Sequence, residues 1–121
     1  MRLFKNTWFN RFAKKEGILD AELREAADRL EKGQADADLG GNVYKVRVAR
    51  PGEGKAGGYR VIVFFKSEER TIYHYGFAKS DMANIERDVL KGFKLDAKYQ
   101  LALTDEQLDN LLKKKNLIEI L

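Results

Sequence analysis

Between Val43 and Lys79 the chain reads VYKVRVARPGEGKAGGYRVIVFFKSEERTIYHYGFAK, with eight Lys or Arg residues against three Glu. Residues 1–42 balance eight bases with eight acids, and residues 80–121 set seven bases against eight acids, so the net charge of +4 resides on this one stretch. Its cations are Lys45, Arg47, Arg50, Lys55, Arg60, Lys66, Arg70 and Lys79, of which all but Lys66 and Arg70 are candidates for chemistry, and three proton-exchanging rings stand in a row, Tyr73, His74 and Tyr75. A concentration of positive charge on one segment is the footprint of a surface that receives phosphate.

These residue types suffice for cleavage of RNA without a metal. One group takes the 2′-hydroxyl proton and another protonates the leaving 5′-oxygen, each worth about 10²–10⁴-fold in rate. Cations aimed at the extra negative charge of the phosphorane contribute about 3–4 kcal/mol each in well-studied sites. Arg grips phosphate bidentately and keeps its proton, whereas Lys and Tyr exchange one once their pKa values are lowered.

Every candidate also has a plain structural reading. Lys45 and Arg47 fit the solvated side of an open sheet. Arg60 lies inside an apolar strand with no acid close by in sequence, and a guanidinium in that setting requires a partner. Strict alternation puts His74 on the side opposite Tyr73 and Tyr75. A lone His fits a hydrogen-bonded structural residue as well as a base, and the two Tyr fit either core packing or the stacking of a nucleobase.

The positioning elements are readable around this segment. Val43–Arg50 alternates apolar Tyr44, Val46 and Val48 with Lys45 and Arg47, as a half-buried strand does. Pro51 stops that strand, and PGEGKAGG is a flexible turn that lacks the Gly-Lys-Ser/Thr of a P-loop. Tyr59–Lys66 is β-branched and aromatic, fit for a strand buried on both faces. Ser67–Arg70 turns the chain and Thr71–Ala78 returns it.

Upstream, Arg2–Lys5 reads as a short strand, Thr7 as the cap of a helix ended by Gly17, and Asp20 as the cap of a second helix ending near Gly33. The apolar stripe Leu23, Ala26, Ala27 and Leu30 makes the pair a scaffold hairpin, with Trp8 in the scaffold and Glu25 pairing with Arg29 outside. Gln34–Asn42 reads as a connector, since Asp36 and Asp38 lack the later acidic ligand of a calcium loop. Downstream, Ser80 or Asp81 caps a helix with Met82, Ile85, Val89 and Leu90 inward, ending near Gly92. Thr104–Gln107 has the form of a capping box. Lys113–Lys115 reads as the solvated end of that last helix, and Leu117–Leu121 as an edge strand.

The chain of 121 residues fits one domain, 1–121, of α+β class. It has no Cys and one His, which excludes disulfides and thiolate metal sites and argues against a catalytic metal. No apolar run approaches the length of a bilayer span or a signal peptide, so a soluble, cytoplasmic protein without cofactor is expected.

The run LGGNVYKVRVARPGEGKAGGYRVIVFF, followed by YGFAKSDMANI, resembles the RelE/ParE/HigB superfamily of toxins from bacterial type II toxin–antitoxin systems, and within it the RelE-like branch. The likeness spans most of the chain. It implies an N-terminal helical hairpin packed on a small, curved, mainly antiparallel sheet, with C-terminal helices beyond. It further implies a metal-independent endoribonuclease, an mRNA interferase that cuts messenger RNA on the ribosome, silenced by a cognate antitoxin that is often of helix-turn-helix type.

Carried over residue by residue, Arg60 matches the strand arginine at the scissile phosphate, with Lys55 beside it. Lys45, Arg47 and Arg50 fall where relatives hold the RNA backbone, and Lys79 follows the last main strand. The longer tail replaces the element that carries a catalytic tyrosine in RelE, which leaves Tyr75 and Lys79 as candidate proton carriers. Two other readings use the same residues: a ParE-like toxin that inhibits gyrase by contact, and a module that binds RNA without cutting it.

Overall fold

The computed structural model describes residues 1–50, 54–78 and 85–121, and for residue 50 and residues 54–57 the backbone alone. The expected Pro51 stop and the Ser80 or Asp81 cap lie outside the described residues, as do Lys79 and Met82.

In chain order the elements are β1 (Arg2–Asn6), α1 (Thr7–Glu16), α2 (Asp20–Glu31), β2 (Ala37–Gly40), β3 (Val43–Arg50), β4 (Gly54–Lys66), β5 (Arg70–Ala78), α3 (Arg87–Leu101), α4 (Asp105–Lys113) and β6 (Leu117–Ile120). The strands form one six-stranded sheet in the order β2-β3-β4-β5-β1-β6. Among the described residues only β1 and β5 pair in parallel; the other four pairings are antiparallel. The α+β class and the mainly antiparallel sheet expected from the sequence are what the chain adopts.

Alternation in β4 explains why the sheet is covered on both faces. Tyr59, Val61, Val63 and Phe65 point into a cluster with Phe9, Ala13, Leu23, Ala26 and Leu30 of the α1–α2 hairpin. Ile62 and Phe64 point the other way, into a cluster with Ala97, Leu101 and Leu108 of α3 and α4. Phe64 is fully buried, and burial of a side chain this large contributes about 1.5–3 kcal/mol. β4 is thus the central strand, sandwiched between two helical layers.

The ends of the elements follow local chemistry, sometimes one residue from the expected place. Asn6, not Thr7, caps α1: its side-chain oxygen accepts from Phe9 N at 2.7 Å. Gly17 closes that helix at φ 73°. Asp20 is the first residue of α2 and makes no cap hydrogen bond; its carboxylate takes Lys5 Nζ at 3.0 Å. Thr104 and Gln107 form the full reciprocal capping box of α4, and Glu25 holds Arg29 one turn on at 3.0 Å. The connector 34–42 contains the short strand β2.

Other expectations fail in α3 and in β5. Gly92 does not end a helix, because α3 runs through it from Arg87 to Leu101. A mid-helix Gly costs about 1 kcal/mol, and the packing of Leu90, Phe93, Ala97 and Leu101 on the sheet offsets it. Val89, expected inward, is exposed.

The others are in β5. Ile62 pairs with Tyr75 but Val63 pairs with Tyr73, so His74 is an extra, unpaired residue, a β-bulge. Tyr73 faces the hairpin layer and its hydroxyl donates to the carbonyl of Leu23. Tyr75 faces α3 instead, so the two tyrosines do not share a side and His74 is not opposite both.

Candidate nucleic-acid interface on the sheet

The register of β3, β4 and β5 assembles the candidate residues. Arg47 pairs with Arg60, which pairs with Phe77; one step along, Lys45 pairs with Ile62, which pairs with Tyr75. Residues directly paired share a face, and alternate residues of a strand do too. Lys45, Arg47, Arg60 and Tyr75 therefore lie on one face of the sheet. It is the face that α3 and α4 cover lower down, where Val43, Phe64 and Ile72 are buried. The backbone places Arg50 at the end of β3, paired with Gly54, and Lys55 next to it in β4. Both therefore belong to the same end of the sheet, and their side chains, like all of Lys79, lie outside the described residues.

The cations on this face are held differently. Arg47 donates through Nε to Asp36 Oδ1 at 2.7 Å, and its backbone N–H donates to Asp36 Oδ2 at 2.6 Å. Burial works to raise the pKa of Asp36, but the hydrogen bonds and charge of Arg47 overcome it and hold the carboxyl below its ordinary value. Arg29 reaches from α2 to the carbonyl of Arg47 at 2.7 Å. Asp36 and Arg29 thus satisfy the β3 edge where β2 no longer pairs with it. Arg60 is partly buried, and Nη1 donates to the carbonyl of Gly58 at 3.4 Å. Among the described residues no carboxylate forms an ion pair with Arg60. A guanidinium opposed by a second one, with a carbonyl for company, keeps most of its donors for an incoming anion.

Tyr75 sits in an aromatic chain. Its ring stacks on Trp8 with centroids 4.5 Å apart and leans on Phe93 at 6.1 Å. Trp8 in turn stacks on Phe12 at 5.3 Å. Trp8 is partly exposed, so it is more than interior scaffold and supports the rim beside Tyr75.

His74 is built into the fold. Its ring stacks on Phe64 at 4.5 Å and meets the edge of Phe93 at 5.0 Å. Asn6 Nδ2 donates to the carbonyl of His74 at 2.9 Å and lies 3.2 Å from Nδ1. With Nδ1 accepting, the neutral ring carries its proton on Nε2, toward Asp96 at 3.8 Å. Burial lowers the His74 pKa, against the weaker pull of Asp96. Asn6 thereby caps α1 and pins the bulge that turns Tyr75 toward the cationic face. Neither Asn6 nor Asp36 was singled out in the sequence for these contacts, since both partners lie far along the chain.

Among the described residues no group of three or more His, Asp or Glu side chains is arranged to hold a metal ion, and no helix is long and apolar enough to cross a membrane. A family model described as the RelE toxin of the RelE/RelB toxin–antitoxin system matches residues 1–120. The chain belongs to the RelE toxin family. It is thus the toxin of a toxin–antitoxin pair, and membership implies an antitoxin as its partner. No curated protein matches the chain. In this RelE-family toxin the cationic face lies on the central strands β3 and β4, and the α1–α2 hairpin occupies the reverse side of the same sheet.

Proposed function

We propose that this RelE-family toxin is a ribosome-dependent mRNA endoribonuclease of the cytoplasm. It cuts by attack of the 2′-hydroxyl on the adjacent phosphorus, without a metal or other cofactor. The 2′-oxygen forms the new bond, the bond to the 5′-oxygen breaks, and the products are a 2′,3′-cyclic phosphate and a 5′-hydroxyl. Arg60 and Lys55 hold the scissile phosphate and its developing charge. Lys45, Arg47 and Arg50 take the flanking backbone, and Tyr75 or Lys79 carries the protons.

The observation that carries this reading is the pairing of Arg47 with Arg60 on the face shared with Lys45 and Tyr75. Like charges directly opposite destabilise a sheet, and an anion between them removes that penalty. The same array steers the toxin toward ribosomal RNA and toward acidic segments of its antitoxin, which in this reading is a repressor of helix-turn-helix type. The test is addition of the purified toxin to translating ribosomes. Messenger RNA cut within codons supports the nuclease. Intact message with gyrase inhibition supports the ParE-like reading, and intact message with RNA bound supports a binding module.

A further inference from the structure

Several cations outside the sheet face are held in ion pairs. Arg2 meets Asp105, Asp109 and Glu119, Lys5 meets Asp20, Arg29 meets Glu25, and Lys66 meets Glu69. Arg87, Lys91, Lys94 and Lys98 of α3 follow one another at intervals of three and four residues, so they line one flank of the helix. Among the described residues none of these four forms an ion pair. The stem of Lys94 lies against the β2–β3 turn so closely that a Cβ added to Gly41 would be 3.1 Å from Lys94 Cγ.

Between this turn and the helix is a groove of about 430 Å³, lined by Gly41, Asn42, Lys91, Lys94, Leu95 and Lys98. Lysine stems and Leu95 make its wall apolar while the ammonium groups ring it. On the adjoining outer face Leu95 is 64% exposed and Tyr99, one turn on, 70% exposed. The neighbouring apolar residues Leu90, Phe93, Ala97 and Leu101 are spent on the sheet, so this outer pair has no role in the core.

We propose that this flank of α3 is the seat of the antitoxin, and that it receives an acidic amphipathic helical segment. Apolar side chains of that segment cover Leu95 and Tyr99, and its carboxylates meet Lys91, Lys94 and Lys98. An amphipathic helix laid on an apolar strip with a charged rim is a recurrent mode of peptide recognition. RNA matches the surface less well. Phosphates pair with the lysines but leave Leu95 uncovered, and Asp88 lines the adjacent groove beside Arg87. The inference rests on membership of the RelE toxin family and not on the nuclease reading.

The test uses the full-length toxin and the product of the adjoining reading frame, with affinity measured by calorimetry. Ribosome-dependent cleavage by the free toxin is measured in parallel. Leu95→Asp and the pair Lys94→Glu with Lys98→Glu are exposed changes, and thermal unfolding checks that each variant folds. Leu95→Asp is expected to weaken antitoxin binding about thirtyfold or more, as loss of an interface anchor does. The Lys variants are expected to weaken it and flatten its dependence on salt, with cleavage unchanged throughout. Unaltered antitoxin affinity in folded Leu95→Asp overturns the proposal. So does loss of ribosome binding by the Lys variants with antitoxin affinity intact, which marks the flank as an RNA surface. If the wild-type toxin cuts nothing, the nuclease reading fails, while the binding comparison still decides this one.

Discussion

Arg47 and Arg60 stand directly opposite each other across the β3–β4 ladder, two guanidinium groups on one face of the sheet. Asp36 compensates Arg47, and no described carboxylate compensates Arg60. A binding site for an anion is a place where a fold tolerates such repulsion. Arg60→Met, which keeps the length and removes the charge, is therefore expected to leave the thermal unfolding midpoint unchanged or to raise it. A clear fall in the midpoint would make Arg60 a structural residue.

Asp36 holds both the side chain and the backbone N–H of Arg47. Asp36→Ala leaves the β3 edge without its acceptor. A loss of about 1–2 kcal/mol is expected in urea unfolding, below the full value of buried charged hydrogen bonds because Arg47 is half exposed. In the wild type the same contribution is present above the ordinary carboxyl pKa of 3.8 and disappears as the pH falls through the lower folded value. Asp36→Ala should lack that acid-sensitive part.

His74 titrates with the opposite charge and the same direction. Its folded pKa lies below the ordinary 6.5, so below that pH the unfolded chain binds a proton the folded ring refuses. Stability is complete above the unfolded value and declines as the pH falls toward the folded one. Asp96 and Asn6 face the ring. Melting curves between about pH 7 and 5.5 should show a decline that His74→Phe, whose ring stays in the Phe64–Phe93 stack, does not share.

At Gly76 the sheet leaves no room beneath α1: an added Cβ would lie 2.5 Å from Phe12 Cε2. Phe12 supports Trp8, and Trp8 stacks on Tyr75. Gly76→Ala is expected to cost about 1–3 kcal/mol through overpacking. It should also shift the fluorescence of Trp8, the sole Trp of the chain. An unchanged emission spectrum would mean that Phe12 and Trp8 move independently.

The parts legible in the sequence are those set by local chemistry and period. Alternation in Val43–Arg50 placed Lys45 and Arg47 on one side, and the β-branched run of β4 marked the central strand. The Thr104 capping box also read directly. What stayed hidden depended on single-residue or long-range events. The bulge at His74 moves Tyr75 to the face of Arg60, and one extra residue carries no compositional signal. Arg47 meets Asp36 only because β2 runs beside β3. Gly92 reads as a helix end, and stopping there hides the stripe from Arg87 to Lys98 as well as the exposed Leu95–Tyr99 pair. The regional balance of seven bases against eight acids hides it too, because the helix sorts the charges by flank.

The central claim is that the cations of β3 and β4 meet a scissile phosphate of messenger RNA. Its most direct test is single-turnover cleavage on programmed ribosomes, wild type against Arg60→Ala, with the chemistry of the new ends determined. The account predicts a 2′,3′-cyclic phosphate and a 5′-hydroxyl from the wild type, and a rate at least about a hundredfold lower from a folded Arg60→Ala. Equal rates for the two proteins, or ends bearing a 3′-hydroxyl and a 5′-phosphate, would contradict it.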